Sequence, residues 1–161
     1  MENPTPLYEI FGPHLNDMLT LSADNLHVIK WYVDAAFAVH PDFWSHTGGV
    51  MTMGRGAIQS LSKKQKLNTK SSCESELVGA DDASGAILWT RLFMEAQGYD
   101  IEENILYQDN KSTILLIENG KKSSGKQTQA INNWYFFLTN QHEKGNIIVK
   151  YCPMMKCLGT T

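Results

Sequence analysis

The chain has 161 residues, enough for one domain with a sizeable core, and its 42% hydrophobic and 19% charged content is that of an ordinary globular protein. No run of about 18 apolar residues occurs, which excludes a membrane-spanning helix. The opening Met-Glu-Asn-Pro-Thr-Pro lacks the basic-then-apolar plan of a secretion signal, and the net charge of -3 argues against a general nucleic-acid binder.

Residues 1–25 are punctuated by Pro, Asn and Asp and are expected to be a linker or the tail of a preceding domain. Val28–Ala38 is rich in β-formers and apolar nearly throughout, which predicts a central strand, broken by His40-Pro41-Asp42. Thr47–Met53, entered through Gly48-Gly49, is a second strand. Gly54-Arg55-Gly56 is a turn and Ala57–Ser62 a third strand. Their short connections predict an antiparallel meander.

Ser71–Gly98 is the longest helical stretch. Ser71 and Glu74 have the spacing of a capping box, and Gly98 is placed to end the helix. Glu76, Ala80, Ala83 and Ile87 recur at helical spacing, giving a face of small residues suited to packing on a sheet. Asn104–Gln108 is a short buried strand closed by Asp109-Asn110. A helix to Glu118 follows, then a Gly/Ser/Lys loop over Asn119–Gly125. Thr128–Glu143 is a third helix with Ile131, Trp134, Tyr135 and Leu138 on one face, and Ile147–Cys152 is a last strand stopped by Pro153. The order β-β-β-α-β-α-α-β predicts an α/β or α+β domain, a mixed sheet covered by helices.

Cys73, Cys152 and Cys157 have no paired CxxC spacing, so free thiols in a reducing, intracellular compartment are expected. His14, His27, His40, His46 and His142 have no metal-ligand spacing, and Trp31, Trp44, Trp89 and Trp134 are assigned to packing. Lys63, Lys64, Lys66 and Lys70 form one basic stretch and Lys121, Lys122 and Lys126 another. Such patches can track phosphates, but on charge alone solvated loops are favoured.

Three carboxylates stand where side chains are usually apolar or structural. Asp34 interrupts an apolar strand, where an unpaired carboxylate is costly. Asp109 ends a strand, where open sheets place ligand sites, and Glu76 lies in the first turn of the long helix, on its small-residue face. Each has a structural alternative: Asp109 as a helix cap, Glu76 answering the helix dipole, Asp34 pointing to solvent. Taken together, strand acid, helix-start acid and strand-end acid can converge on one side of the sheet. Three acids with no basic partner in their segments would repel one another. A pair of Mg²⁺ ions relieves such repulsion, and two ions about 4 Å apart clamp the attacking and leaving oxygens of a phosphodiester.

The segments spell a family. Lys30-Trp31-Tyr32-Val33-Asp34-Ala35-Ala36-Phe37-Ala38 resembles the first strand of the ribonuclease H domain in copia-type retrotransposon polyproteins. Ser45-His46-Thr47-Gly48-Gly49-Val50 is similar to the turn that follows it. Lys64–Leu77 resembles the S-S-T-E-A-E block, Tyr107-Gln108-Asp109-Asn110-Lys111-Ser112 the third acid motif, and Lys144-Gly145 with Tyr151-Cys152-Pro153 the run into the last strand. The resemblance covers residues 19–158 and rests on several ordered blocks.

It implies a ribonuclease H-like five-stranded mixed sheet flanked by helices over residues 26–161, preceded by a reverse transcriptase region. Asp34, Glu76 and Asp109 are then the catalytic, metal-binding acids, holding two Mg²⁺ ions for which Mn²⁺ can substitute. The reaction implied is cleavage of the RNA strand of an RNA–DNA hybrid, leaving a 3′-hydroxyl and a 5′-phosphate. The lysines of both basic stretches would grip the hybrid backbone without reading sequence. A cytoplasmic, virus-like-particle or nuclear location is implied, with no secretion and no membrane.

The sequence departs from the family at two places. Thr160, the next-to-last residue, stands where a fourth acid is usual. Lys126-Gln127-Thr128-Gln129-Ala130-Ile131 replaces a basic K-R-T-R-H-I run, and Trp134 replaces an Arg. Both changes fall on function and spare the apolar pattern. The expectation is a domain truncated at its C-terminus that keeps the fold with weakened activity. The alternative is an inactive retroelement relic that at most binds nucleic acid. An integrase core shares the architecture but would carry its glutamate last, on a late helix.

Overall fold

The structure, a computed structural model, describes residues 20–120 and 132–153. In chain order the elements are β1 (Ser22–Ala23), β2 (Val28–Ala36), β3 (His46–Thr52), β4 (Gly54–Arg55), β5 (Gln59–Lys64), α1 (Ser72–Ala96), β6 (Glu103–Gln108), α2 (Lys111–Asn119), α3 (Asn132–Glu143) and β7 (Ile148–Tyr151). Five strands form one mixed sheet in the order β5-β3-β2-β6-β7. The β5-β3-β2 half is the antiparallel meander, and β2-β6-β7 run parallel. This is the α/β architecture that the element order predicts, with β2 at its centre.

Strand β2 is central, as its apolar run predicts, and the structure buries alternate residues of it. Ile29, Trp31, Val33 and Ala35 point into the core, whereas Asp34 and Ala36 are exposed. The reason is the pleat: successive side chains take opposite faces, and α1 packs on one of them. One expectation is corrected at Gly54-Arg55, expected in a turn. It pairs with Ser22-Ala23, inside the stretch expected to be linker. A Cβ on Gly54 would lie 2.2 Å from the Ser22 carbonyl oxygen, so only glycine permits this close approach.

Helix α1 forms as its caps direct. Ser71 Oγ accepts from Glu74 N at 3.2 Å, and the Glu74 carboxylate reaches back to Lys70 N at 2.7 Å. At the other end Gly98 takes φ 90°, while Gly98 N and Tyr99 N donate to Glu95 O and Met94 O. That pairing satisfies the last carbonyls of the helix. The face bearing Leu77, Ala80, Ala83 and Ile87 is buried against Ile29, Trp31, Val33 and Leu106 of the sheet. At Gly79 a Cβ would stand 3.2 Å from Ala35 Cβ, which measures how closely α1 lies on β2 beside Asp34.

Two further points bear on the sequence reading. Cys73 is a free thiol, but Cys152 is disulfide-bonded, which corrects the expectation of three free thiols. The spacing argument excluded a metal site of paired cysteines, but it placed no limit on a disulfide. Among the described residues no helix is long and apolar enough to cross a membrane.

Candidate metal centre

The three acids meet at one end of the β2–β6 pair. Asp34 lies opposite Gly48 on β3, so its neighbour across the ladder carries no side chain to crowd it. Glu76 sits in the second turn of α1 rather than the first, where Glu74 is the acid, and it is 5% exposed. One amide serves both carboxylates. Ala35 N donates to Asp34 Oδ1 at 2.9 Å and to Glu76 Oε1 at 3.3 Å. The other oxygen of Glu76, Oε2, accepts from Gln108 Nε2 at 3.2 Å.

Asp109 follows directly on β6. It does not cap α2: Asn110 does, its Oδ1 accepting from Ser112 N at 3.0 Å and Thr113 N at 3.1 Å. The Asp109 carboxylate is thereby left to the cluster. Ligand oxygens of Asp34, Glu76 and Asp109 lie within 4.8 Å of one another. None of the three forms an ion pair with a described Lys, Arg or His. Asp109 is not the cap and Glu76 is buried, whereas Asp34 is exposed, as its structural alternative had it, and still joins the group.

The electrostatics follow from the crowding. Glu76 is pushed up to about 8, first by burial and then by the charge of Asp34, with Asp109 adding to it. The Ala35 and Gln108 donors oppose that rise. Asp109 is raised as well, by burial and then by Asp34. Three hard oxygen donors, with no cation among the described residues to neutralise them, suit Mg²⁺ or Mn²⁺ better than a soft metal. The residues present therefore fit a hard divalent ion.

The basic stretch before α1 divides in two. Lys63 pairs with Asp82, whose side chain is 6% exposed and also accepts from Thr47 Oγ1 at 3.2 Å. Lys64 pairs with Asp42 and stands 5.6 Å above the Trp44 ring. Lys66 and Lys70 are exposed and make no ion pair among the described residues. Lys121, Lys122, Lys126 and Thr160 lie outside the described residues.

Sequence reasoning missed several groups. Gln108 is 1% exposed and touches both Glu76 and the Asp109 turn. A polar residue at an inward strand position, next to an acid, was the available signal. Tyr32 and Tyr107 stack across β2 and β6, ring centroids 4.8 Å apart. They line a cavity of about 340 Å³ that opens beside Asp34 and Asp109 over Gly48 and Gly49. His40 Nε2 and His46 Nδ1 approach to 3.2 Å, and His46 Nε2 bonds Ser62 Oγ at 2.9 Å. By sequence alone, neither histidine has metal-ligand spacing.

The sequence matches no protein-family model and no curated protein. The fold is similar to that of LC11-RNase H1, isolated from compost by a metagenomic approach, with a TM-score of 0.58 at 14% identity over 81% of this chain and 87% of that one. The same protein in complex with an RNA/DNA hybrid gives a TM-score of 0.56 over 80% of this chain. Prototype foamy virus protease-reverse transcriptase gives 0.53 at 13% identity, over 83% of this chain but only 18% of that longer one. The chain has the ribonuclease H fold.

Proposed function

We propose that this domain hydrolyses the RNA strand of RNA–DNA hybrids with the help of divalent metal ions, as the ribonuclease H of a copia-type retrotransposon polyprotein. The observation that carries the reading is the unneutralised convergence of Asp34, Glu76 and Asp109 within 4.8 Å, on a fold similar to that of a protein solved with an RNA/DNA hybrid. Phosphodiester hydrolysis needs an activated water and a stabilised leaving oxygen, and among the described residues this site offers no histidine or serine base for either. Mg²⁺ or Mn²⁺ bound by the three acids would supply both.

The chain's own residues do the rest. Ala35 N–H and Gln108 hold Glu76 toward Asp34. Gly48 and Gly49 leave a bare floor beside Asp34, over which a nucleic-acid backbone can come close. Lys66 and Lys70, free of ion pairs among the described residues, are the cations of this stretch available to phosphates. Lys63 and Lys64 are partly neutralised by Asp82 and Asp42, which supports a weak grip on the hybrid. In the proposed setting the domain is joined to a reverse transcriptase and acts in the cytoplasm or nucleus.

The test is a panel of labelled substrates with Mg²⁺ or Mn²⁺: an RNA–DNA hybrid, an RNA duplex, a DNA duplex and single-stranded RNA. Cutting confined to the RNA of the hybrid, with 3′-hydroxyl and 5′-phosphate ends, is expected. Equal cutting of all four would assign a general nuclease instead. Binding of hybrid with no cutting would favour an inactive relic, the reading that Thr160 and the lost basic run support.

A further inference from the structure

Gln108 is the last residue of β6 and among the most completely buried polar side chains of the described residues. Its two amide ends face different acids. Nε2 donates to Glu76 Oε2 at 3.2 Å. Oε1 accepts from Asp109 N at 2.8 Å and from Asn110 N at 3.3 Å. The chemistry allows one orientation only. Turned over, the amide would set its oxygen against a carboxylate and its NH₂ against two backbone N–H groups. A neutral side chain that both donates and accepts is the one type that satisfies a carboxylate and two amides at once.

The consequences reach both acids. Asn110 caps α2 while its own N–H is held by Gln108, so the turn that carries Asp109 is fixed from both sides. Glu76 is fixed at one oxygen by Ala35 and at the other by Gln108. Asp34 is tied in through the same Ala35 amide. Among the described residues Gln108 is thus the one side chain bonded to both Glu76 and the backbone of Asp109.

We infer that Gln108 is a positioning residue that sets Glu76 and Asp109 at the spacing a divalent ion requires. This rests on the proposed metal-dependent function. Groups that orient a metal's ligands typically change affinity by about 10- to 100-fold when lost. Gln65 provides a matched comparison. It is equally buried, and its Nε2 donates to Thr47 Oγ1 at 3.0 Å and Ser75 O at 2.8 Å, but its Oε1 has no partner among the described residues and it touches none of the three acids.

The experiment is Mn²⁺ titration of the purified chain by calorimetry, comparing Gln108→Met with Gln65→Met and the unsubstituted protein. Gln108→Met keeps the length and loses every hydrogen bond. It is expected to bind Mn²⁺ at least about tenfold more weakly, while Gln65→Met loses stability and keeps its affinity. If Gln108→Met does not fold, Gln108→Asn takes its place, since the shorter amide cannot span both partners, and the same loss is expected. Unchanged affinity in the folded Gln108 variant overturns the inference alone, as does an equal loss in Gln65→Met. Failure of the unsubstituted chain to bind Mn²⁺ overturns the metal-centre reading and this inference with it.

Discussion

Asp34 and Glu76 share a single backbone donor, the Ala35 N–H, at 2.9 and 3.3 Å. One amide cannot neutralise two carboxylates, and the second oxygen of Glu76 finds only the neutral Gln108. Among the described residues nothing neutralises the site's charge.

The first prediction is a pH effect on stability. Glu76 is pushed up to about 8 from an ordinary value of 4.5, by burial and then by Asp34. The folded state holds this proton more tightly than the unfolded chain does. Its contribution to stability is fully present below pH 4.5 and is lost as pH rises through 8. Melting in EDTA should therefore move to lower temperature over that window, and Glu76→Gln should flatten the slope. Added Mn²⁺ should raise the melting temperature more at the alkaline end, since it binds the ionised carboxylate. A slope that Glu76→Gln leaves unaltered would contradict the assignment.

The second prediction separates cap from ligand. Asn110→Ala removes the acceptor for Ser112 N and Thr113 N and is expected to cost about 1 kcal/mol in urea unfolding. Asp109→Ala removes a carboxylate held beside two others, so metal-free stability should stay level or rise. The opposite ranking would make Asp109 the structural residue.

The third concerns two glycines of one helix. Around Gly85 a Cβ would meet nothing within 4 Å, so Gly85→Ala is expected to stabilise by about 0.5–1 kcal/mol. At Gly79 the Cβ already meets Ala35 at 3.2 Å. Gly79→Leu should cost about 1–3 kcal/mol, by pushing α1 off the sheet, and should weaken metal binding through Glu76. Equal effects at the two positions would deny that α1 is pressed onto β2 there.

Much of this was legible in the sequence for a physical reason. The capping box at Ser71 and Glu74, the small-residue face from Glu76 to Ile87 and Gly98 at the helix end are local signals, and α1 follows them. The three acids could be picked out because a carboxylate in an apolar setting demands an explanation. What could not be read were pairings set by tertiary structure. Gly54 with Ser22, Lys63 with Asp82 and His40 with His46 join segments whose contact depends on register, and no spacing reveals it. Gln108 is intermediate. Its inward position was legible, but its two partners were not.

The most direct test of the central claim is the rate of RNA cleavage in an RNA–DNA hybrid across a Mn²⁺ titration, for the unsubstituted chain beside Asp109→Asn. That substitution keeps the shape of the side chain and removes one ligand charge. The account predicts cleavage that needs the ion and falls by at least about a hundredfold in Asp109→Asn, as removal of one transition-state-stabilising group does in other enzymes. Cleavage that persists in EDTA, or that Asp109→Asn leaves unchanged, would contradict it.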